Sequence, residues 1–297
     1  MAHLKSQKAT NFSGSCRTGP AWLKPAAGLM VLVSLFCGNV SGQGDLLITP
    51  RRIVFEGPKR SMDLNLANTG QDTAVYAISL IQIRMKDDGG FETIAEPDPG
   101  QRFADRYLRF FPRTVVLGPN EAQTVKIQLT RTNELTDGEY RSHFYFRSVP
   151  RIKPLGGEEK PEDTTAISVR LIPVFGITIP AIIRVGESTS KVTLSGLSLG
   201  AGGDGMPMLE MVINRTGNMS VYGDITIDHI SADGKITRVG MANGVAVYTP
   251  NATRRFGISL MDVPGVDYGA GKLRVTYSAS SDVKPAKFAE NELILNK

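Results

Sequence analysis

The sequence has 297 residues, which is enough for two domains and too many for a single immunoglobulin-like sandwich of roughly 100 residues. Its formal net charge is +5, from 34 basic and 29 acidic residues. Four of the bases, Lys5, Lys8, Arg17 and Lys24, precede residue 42, where no acidic residue occurs. The rest of the chain is nearly neutral, with 30 bases against 29 acids. Charge therefore gives no reason to expect a nucleic-acid partner.

The N-terminal segment has the features of a secretory signal peptide. A basic stretch precedes an apolar run over residues 26–37, which is shorter than the ~20 residues that a membrane-spanning helix needs. Small residues follow, and Val40-Ser41-Gly42 is a suitable cleavage site before Gln43. We predict a signal peptide over residues 1–42, with an uncleaved membrane anchor as the alternative. Both cysteines lie in this segment, so the mature chain would lack disulfides and thiolate metal sites.

The first half of the mature chain alternates apolar and polar residues, which predicts β-strands with one buried face. The predicted strands, in chain order, lie within residues 47–57, 61–70, 74–84, 111–117, 123–129 and 139–150. The Gly118-Pro119-Asn120 step predicts a turn, because proline presets φ and asparagine tolerates unusual backbone angles. Residues 151–165 are polar and rich in Gly, Pro and Glu, which predicts an exposed, mobile loop.

An almost continuous apolar run over residues 166–183 then predicts a strand that is covered on both faces, or that awaits a partner. After a short hinge at residues 186–190, strands are predicted again at residues 208–214, 222–230, 245–249 and 272–278. No long helical periodicity occurs in the sequence. The pattern predicts an all-β chain of two immunoglobulin-like β-sandwich domains, at residues 43–184 and 185–297.

Several short motifs of the first half occur in a fixed order after the apparent signal peptide. They are Arg-Ile-Val-Phe-x-Gly at 52–57, Leu-x-Leu-x-Asn at 64–68, the proline-started segment at 112–120, Ser-His-Phe-Tyr-Phe at 142–146 and Val-Pro at 149–150. Together they resemble the PapD-like periplasmic chaperones that assemble pili. The resemblance covers most of residues 45–183, and in the second half it extends to the strand layout alone.

The resemblance implies a function and the residues that carry it. Such chaperones cap an incomplete pilus or fimbrial subunit with one of their own strands, by donor-strand complementation, and deliver it to an outer-membrane usher. The matching donor strand has Ile167, Val169 and Leu171 on one face, an alternation that insertion into a groove requires. Arg52 matches the first of two cleft bases that bind the subunit's C-terminal carboxylate, for which a guanidinium is well suited.

The sequence departs from the family at the second base. Counting back from Pro180, the matching position is the apolar Phe175, and Arg170 is the nearest base on that strand. The resemblance therefore implies carboxylate binding by Arg52, with Arg170 as a substitute if the register is shifted. It also implies a periplasmic location and a protein client, with no cofactor, metal ion, nucleic acid or small-molecule substrate.

Other interpretations of the same residues stay open. Arg52 is alternatively a solvated base at a strand end, and Ile167, Val169 and Leu171 are alternatively ordinary core residues. His143 and His229 are the histidines that follow the leader, and no Ser/His/Asp set, zinc spacing or phosphate loop accompanies them. We therefore predict that the chain is not an enzyme. The function classes are an assembly chaperone, a structural or adhesive surface protein, and a remote enzyme or ligand-binding module.

Overall fold

The computed structural model describes residues 46–150, 174–203, 205–280 and 285–296. Several predictions lie outside these residues: the signal peptide at 1–42, the loop at 151–165, the donor-strand residues Ile167, Val169 and Leu171, and Arg170. Within the described residues, no helix is long and apolar enough to cross a membrane.

Residues 46–150 and 174–185 form a first sandwich of two main sheets. Its strands are β1 (Leu46–Thr49), β2 (Ile53–Phe55), β3 (Ser61–Asn68), β4 (Ala74–Ile81), β5 (Ile83–Met85), β6 (Phe91–Thr93), β7 (Leu108–Phe111), β8 (Thr114–Leu117), β9 (Ala122–Leu129), β10 (Gly138–Ser148) and β11 (Gly176–Val185). One sheet has the order β1-β3-β9-β7 and the other the order β2-β11-β10-β4-β8. Pairing is antiparallel except between β2 and β11, which run parallel.

Residues 191–296 form a second sandwich. Its strands are β12 (Lys191–Ala201), β13 (Pro207–Thr216), β14 (Val221–Ile230), β15 (Ile236–Val247), β16 (Thr253–Ser259), β17 (Ala270–Ala279) and β18 (Lys287–Asn296). A sheet of order β12-β13-β16 packs on a sheet of order β15-β14-β17-β18. The expected all-β fold of two β-sandwiches is confirmed, since short alternating strands bury one face of each sheet in a shared core.

Each sandwich has its own apolar core, and a small third cluster joins them. Leu64 and Val125 of one sheet and Phe144 and Ile183 of the other are fully or almost fully buried in the first core. The joining cluster consists of Met85 and Ile182 from the first sandwich and Ala246 and Tyr248 from the second. The two sandwiches are therefore in direct apolar contact.

The predicted turn after β8 is confirmed in its details. Asn120 has a φ of 58°, the left-handed conformation that asparagine tolerates. Asn68 is buried, and its Nδ2 donates to the carbonyl oxygens of Asp72 (2.7 Å), Leu117 (3.0 Å) and Gly118 (3.1 Å). A single amide thus donates to three backbone oxygens around the turn.

The strand predicted over residues 74–84 is divided in the structure. β4 ends at Ile81, and after Gln82 the chain leaves the sheet and forms the β5–β6 hairpin. The carbonyl oxygen of Ile83 accepts hydrogen bonds from the side chains of Gln101 (3.3 Å) and Arg141 (3.3 Å). These side chains replace the bond that a continuing sheet would have supplied. The hairpin then reaches the second sandwich, where Asn251 Nδ2 donates to the carbonyl of Met85 (2.9 Å).

Candidate functional site

The register of the β2-β11-β10 sheet places Arg52 beside β11. Ile53 lies opposite Ala181, and both belong to the first core. Because successive side chains alternate between the faces of a strand, the residues one step earlier point away from that core. These are Arg52 and, on β11, Pro180, which in turn pairs with His143 of β10. This face of the sheet is the one that meets the second sandwich.

Arg52 is a desolvated cation with unused hydrogen-bond donors. Its guanidinium carbon lies 4.4 Å from the centre of the Tyr222 ring of the second sandwich. Its Nε and Nη2 are buried and have no hydrogen-bond acceptor among the described residues. Burial lowers the pKa of Arg52. The positive charge of the nearby Arg184 lowers it further, whereas Tyr248 and Glu139 raise it. Arginine is nevertheless charged in proteins, so an anion that reached Arg52 would find two free donors.

Arg52 lines a cleft of about 900 Å³ between the two sandwiches. Lining residues come from β2 and β11 of the first sandwich, and from β12, β14 and β18 of the second. The charged residues of the lining are Arg51, Arg52, Lys59, Arg184, Lys191, Lys287 and the single acid Glu56. This excess of positive charge makes the cleft suitable for an anionic group of a partner.

A polar cluster around Glu139 of β10 joins the two sandwiches, and two of its members, Arg184 and Ser220, line the cleft. The side chain of Glu139 is fully buried and lies 3.3 Å from Nε of Arg184 on β11. It accepts hydrogen bonds from the backbone N–H of Ser220 (3.0 Å), from the Ser220 hydroxyl and from the Thr249 hydroxyl (3.3 Å). Arg184 Nη2 donates to the carbonyl of Ser220 (2.7 Å). Every contact to Ser220 and Thr249 joins one sandwich to the other.

Arg141 of β10 forms a second connection between the two sandwiches. It is almost completely buried, and its guanidinium carbon lies 4.4 Å from the centre of the Tyr248 ring. Nη1 donates to the carbonyl of Ile83 (3.3 Å), and Nη2 donates to the carbonyl of Thr249 in the second sandwich (3.2 Å). Burial lowers the pKa of Arg141. Nε of Arg141 is buried without a partner among the described residues, while Nη1 and Nη2 bind the two sandwiches together.

A smaller pocket of about 280 Å³ adjoins Arg52. Its walls include the rings of Phe91, His143, Tyr222 and Tyr248 and the side chain of Arg254. The His143 ring centre lies 6.0 Å from that of Phe91 and 6.3 Å from that of Tyr248, in edge-to-face arrangements. The aromatic rings form a continuous wall beside the guanidinium of Arg52.

Besides Nε and Nη2 of Arg52, two polar atoms in the walls of this pocket lack partners among the described residues. They are Nδ1 of the buried His143 and Nε of Arg254. Burial lowers the pKa of His143 to about 3, and the positive charge of Arg141 contributes to the shift. The His143 ring is therefore neutral at pH 7, and His143 is buried within β10. Arg254 is held by a 2.6 Å hydrogen bond from Nη1 to the carbonyl of Ala246.

The first part of β11 has one unpaired edge. Antiparallel pairing with β10 covers β11 from Gly176 to Val185, whereas β2 pairs only with Ala181, Ile182 and Ile183. Within the described residues, no strand pairs with the other edge of residues 176–180. Val174, Phe175 and Ile177 at this end are 48%, 60% and 40% exposed. An open edge with exposed apolar side chains is a site where another strand can add.

The predicted site residues are divided between described and undescribed parts of the chain. Arg52 lies in the cleft, whereas Arg170, Ile167, Val169 and Leu171 lie outside the described residues and stay predictions. The register shows that Pro180 lies beside Arg52, and that Phe175 is five residues earlier on the same strand. Neither position carries a base, and the base that β11 does contribute to the cleft, Arg184, is paired with Glu139.

The sequence did not reveal five further residues where the sandwiches meet. Arg184 and Tyr222 line the cleft, Tyr248 lines the smaller pocket, and Glu139 and Arg141 bind the sandwiches together. Charged residues in strands are usually solvated, and here their partners lie far away in sequence. A usable signal was the occurrence of Glu139 and Arg141 within a strand that is otherwise buried on both faces. No cluster of three or more His, Cys, Asp or Glu residues that could hold a metal ion occurs in the described part of the chain.

No protein-family model matches the sequence, and no curated protein matches it. Many solved structures that match the fold are chaperones, among them the class 5 fimbriae chaperone CfaA and the periplasmic chaperone SfaE, which agrees with the family that the motifs resemble. The YadV chaperone is 15% identical, with a TM-score of 0.43 over 84% of this chain and 100% of its own. The E. coli chaperone DraB is 12% identical, with a TM-score of 0.40 over 85% and 97%.

A chain from the complex of the Salmonella enterica SafA pilin with the SafB chaperone is 13% identical, with a TM-score of 0.40 over 84% of this chain and 96% of its own. Identities below 25% and TM-scores below 0.5 do not decide the function. The case for a function rests on the cleft and the open edge of β11.

Proposed function

We propose that this protein is a periplasmic chaperone that caps exported pilus-like subunits by lending them a strand. The observation that carries the proposal is the position of the open edge of β11 relative to Arg52. Residues 176–180 have one unpaired edge within the described chain, and this stretch ends at Pro180, beside Arg52 with its two free donors. The end of a partner strand that added to this edge would therefore lie beside Arg52, whose free donors can bind a carboxylate.

The open edge supplies the main-chain part of the interaction. An incomplete sandwich exposes a row of unpaired N–H and C=O groups together with apolar surface, and it aggregates unless a strand is added. Phe175 and Ile177 are exposed at this edge and share one face. Ile167, Val169 and Leu171 are separated from Phe175 and Ile177 by even numbers of residues. If residues 167–177 formed one extended strand, these five side chains would therefore lie on one face and could enter one groove. We propose this segment as the donor strand.

The cleft supplies the anchor for the client's C-terminus. A carboxylate can accept from Nε and Nη2 of one guanidinium, which are two donors held in a fixed geometry. Binding there would also compensate the desolvation of Arg52. Arg170 is the second candidate base from the sequence. Delivery to an outer-membrane usher and export after cleavage near Gly42 are part of the same proposal, and they rest on the resemblance and on the N-terminal sequence.

The test compares two neighbouring substitutions in the donor segment. The chain is co-expressed in a bacterial periplasm with an exported immunoglobulin-like pilin from the same genome that lacks its last strand. Val169→Glu places a charge against the apolar groove, where its unpaired burial costs several kcal/mol, so the soluble complex should disappear. Ser168→Glu, on the opposite face, is the matched control and should leave the yield of complex unchanged.

Two results would reject the proposal. One is an equal yield of soluble complex with wild type, Val169→Glu and Ser168→Glu, measured by size-exclusion chromatography. The other is unfolding of isolated Val169→Glu by circular dichroism, because that residue would then belong to the core. Ile177→Glu provides an independent check at a residue that is 40% exposed, where a charge is compatible with the isolated fold. It should also abolish the complex.

A further inference from the structure

The small pocket and the large cleft share the residues that contact the proposed carboxylate. Arg51, Arg52 and Tyr222 line both. In a polypeptide C-terminus the carboxylate is bonded directly to the last Cα, so a carboxylate held at Arg52 places the last side chain within reach of the pocket. The inference below rests on the proposed function in this respect.

The size and walls of the pocket suit one planar side chain. Its volume of about 280 Å³ lies near the lower end of the range for ligand pockets, roughly 300–1,000 Å³. Phe91, Tyr222 and Tyr248 give it aromatic faces and edges, against which another ring packs in offset or edge-to-face geometry. A single side chain fits this space, whereas a longer segment of chain does not.

The polar atoms of the pocket indicate what the end of that side chain carries. Nδ1 of His143 and Nε of Arg254 are buried without partners in the described chain, and the ring of His143 is 3% exposed. Leaving such groups unpaired costs free energy, which a hydrogen-bonding group on the ligand would recover. The charges of Arg52 and Arg254 repel a basic side chain in this desolvated place.

We propose that this pocket receives the side chain of the client's C-terminal residue and selects a planar side chain that ends in a hydrogen-bonding oxygen, such as tyrosine. Apolar packing against the rings supplies most of the affinity. The oxygen pairs with His143 or Arg254 and gives the selectivity. Lysine and arginine are excluded by charge.

The proposal is tested with acetylated pentapeptides of sequence Gly-Ser-Gly-Ser-X and a free carboxylate, titrated into the mature protein by calorimetry or NMR. Tyrosine at X should bind about ten-fold or more tightly than glycine, because burial of a ring contributes at least about 1.5 kcal/mol. Phenylalanine should bind less tightly than tyrosine, by up to about ten-fold, because it lacks the oxygen. Lysine should bind no better than glycine. Equal affinities for tyrosine and glycine would overturn the proposal.

C-terminal amides separate this proposal from the one on which it rests. If the acid and the amide of the same peptide bind equally, the anchor at Arg52 fails, and the cleft part of the proposed function fails with it. If the acid binds better than the amide but X has no effect, the anchor stands and the side-chain pocket is rejected.

Two variants locate the effect in the pocket. Thr178→Trp fills the pocket mouth from an exposed position on β11, and it should abolish the preference for tyrosine while the glycine peptide keeps its affinity. Ser79→Trp is the matched control, since Ser79 is exposed on β4 in the same row of the sheet and does not line the pocket. Phe91→Ala removes one wall, at a residue that is 54% exposed, and should weaken the preference. Retention of the full preference in both pocket variants would refute the assignment.

Discussion

Arg52 and Arg184 line the same cleft from neighbouring strands, but their surroundings differ. Arg184 lies 3.3 Å from the buried carboxylate of Glu139, and its Nη2 donates to the carbonyl of Ser220. Arg52 stacks on Tyr222, and two of its donor atoms are buried without acceptors in the described chain. The first arginine is satisfied within the protein, and the second is not.

This difference separates a structural group from a binding group. A buried ion pair with all its hydrogen bonds made fixes the arrangement of the parts that it joins. A buried donor without a partner is costly, and a ligand that supplies the missing acceptor is one reason for it to persist in a folded protein. We expect removal of Glu139 to damage the fold and removal of Arg52 to damage binding.

The largest effect is expected for Glu139→Gln. The substitution removes the charge that balances Arg184 and weakens the hydrogen bonds from Ser220 and Thr249. Breaking one partner of a buried pair costs about 3–5 kcal/mol, and we expect a loss near the lower end because the Arg184 side chain is 19% exposed. Urea unfolding at pH 7 measures the loss. Glu56→Gln, at an exposed cleft residue, is the control and should stay within about 0.5 kcal/mol. A loss below about 1 kcal/mol for Glu139→Gln would show that Glu139 does not hold the two sandwiches together.

A somewhat smaller effect is expected from His143 as the pH falls. Burial lowers its pKa in the folded protein to about 3, whereas an unfolded histidine titrates near 6.5. Below pH 6.5 the unfolded chain therefore binds a proton that the folded chain does not. The free energy of unfolding falls with pH by up to about 1.4 kcal/mol per unit, which is on the order of 2–3 kcal/mol at pH 4.5.

His143→Gln removes this titration and should flatten the pH dependence between pH 6.5 and 4.5. Urea unfolding of the wild type and the variant at several pH values measures it. The difference between the two curves cancels the carboxylates, which titrate in both proteins. Parallel curves would show that His143 does not titrate as its burial implies.

The sequence was sufficient for the fold and for one cleft residue. Alternation predicted most strands of both sandwiches, because each strand buries a single face, and the turn residue Asn120 carried its own backbone signal. β6, β12, β16 and β18 were not predicted. The residues of β16 alternate only between half-buried and exposed positions, so few strongly apolar residues mark its inner face. Arg52 was found through its motif.

The rest of the site depends on contacts that span the chain. Glu139 meets Ser220 across 81 positions, and Arg141 meets Thr249 across 108. A base or an acid in a strand gives no local indication that its partner lies in another sandwich. The pairing of β2 with β11 likewise determines that Pro180 lies beside Arg52, which counting along the sequence does not indicate.

The smallest effect on stability is expected for Arg52→Gln, and this variant contrasts the two arginines directly. The substitution removes a desolvated cation that has lost hydration without gaining an acceptor, and with it a stacking contact worth about 0.5–1 kcal/mol. These terms oppose each other, so the free energy of unfolding should change by less than about 1 kcal/mol. Client binding should weaken at least ten-fold, because hydrogen bonds to charged groups contribute about 1.5–3 kcal/mol.

Arg184→Gln should give the reverse result, since it leaves the buried carboxylate of Glu139 without its cation. Stability would fall, while the affinity of the protein that remains folded would change little. Urea unfolding measures the stability of each variant, and titration with a free-acid peptide measures its affinity. If Arg52→Gln loses stability and keeps its affinity, Arg52 is a structural residue and the unpartnered donors do not mark a binding site. If both variants lose both properties, the interface and the binding site are one energetic unit, because a client can then be held only by sandwiches that Glu139 and Arg184 have already fixed in place.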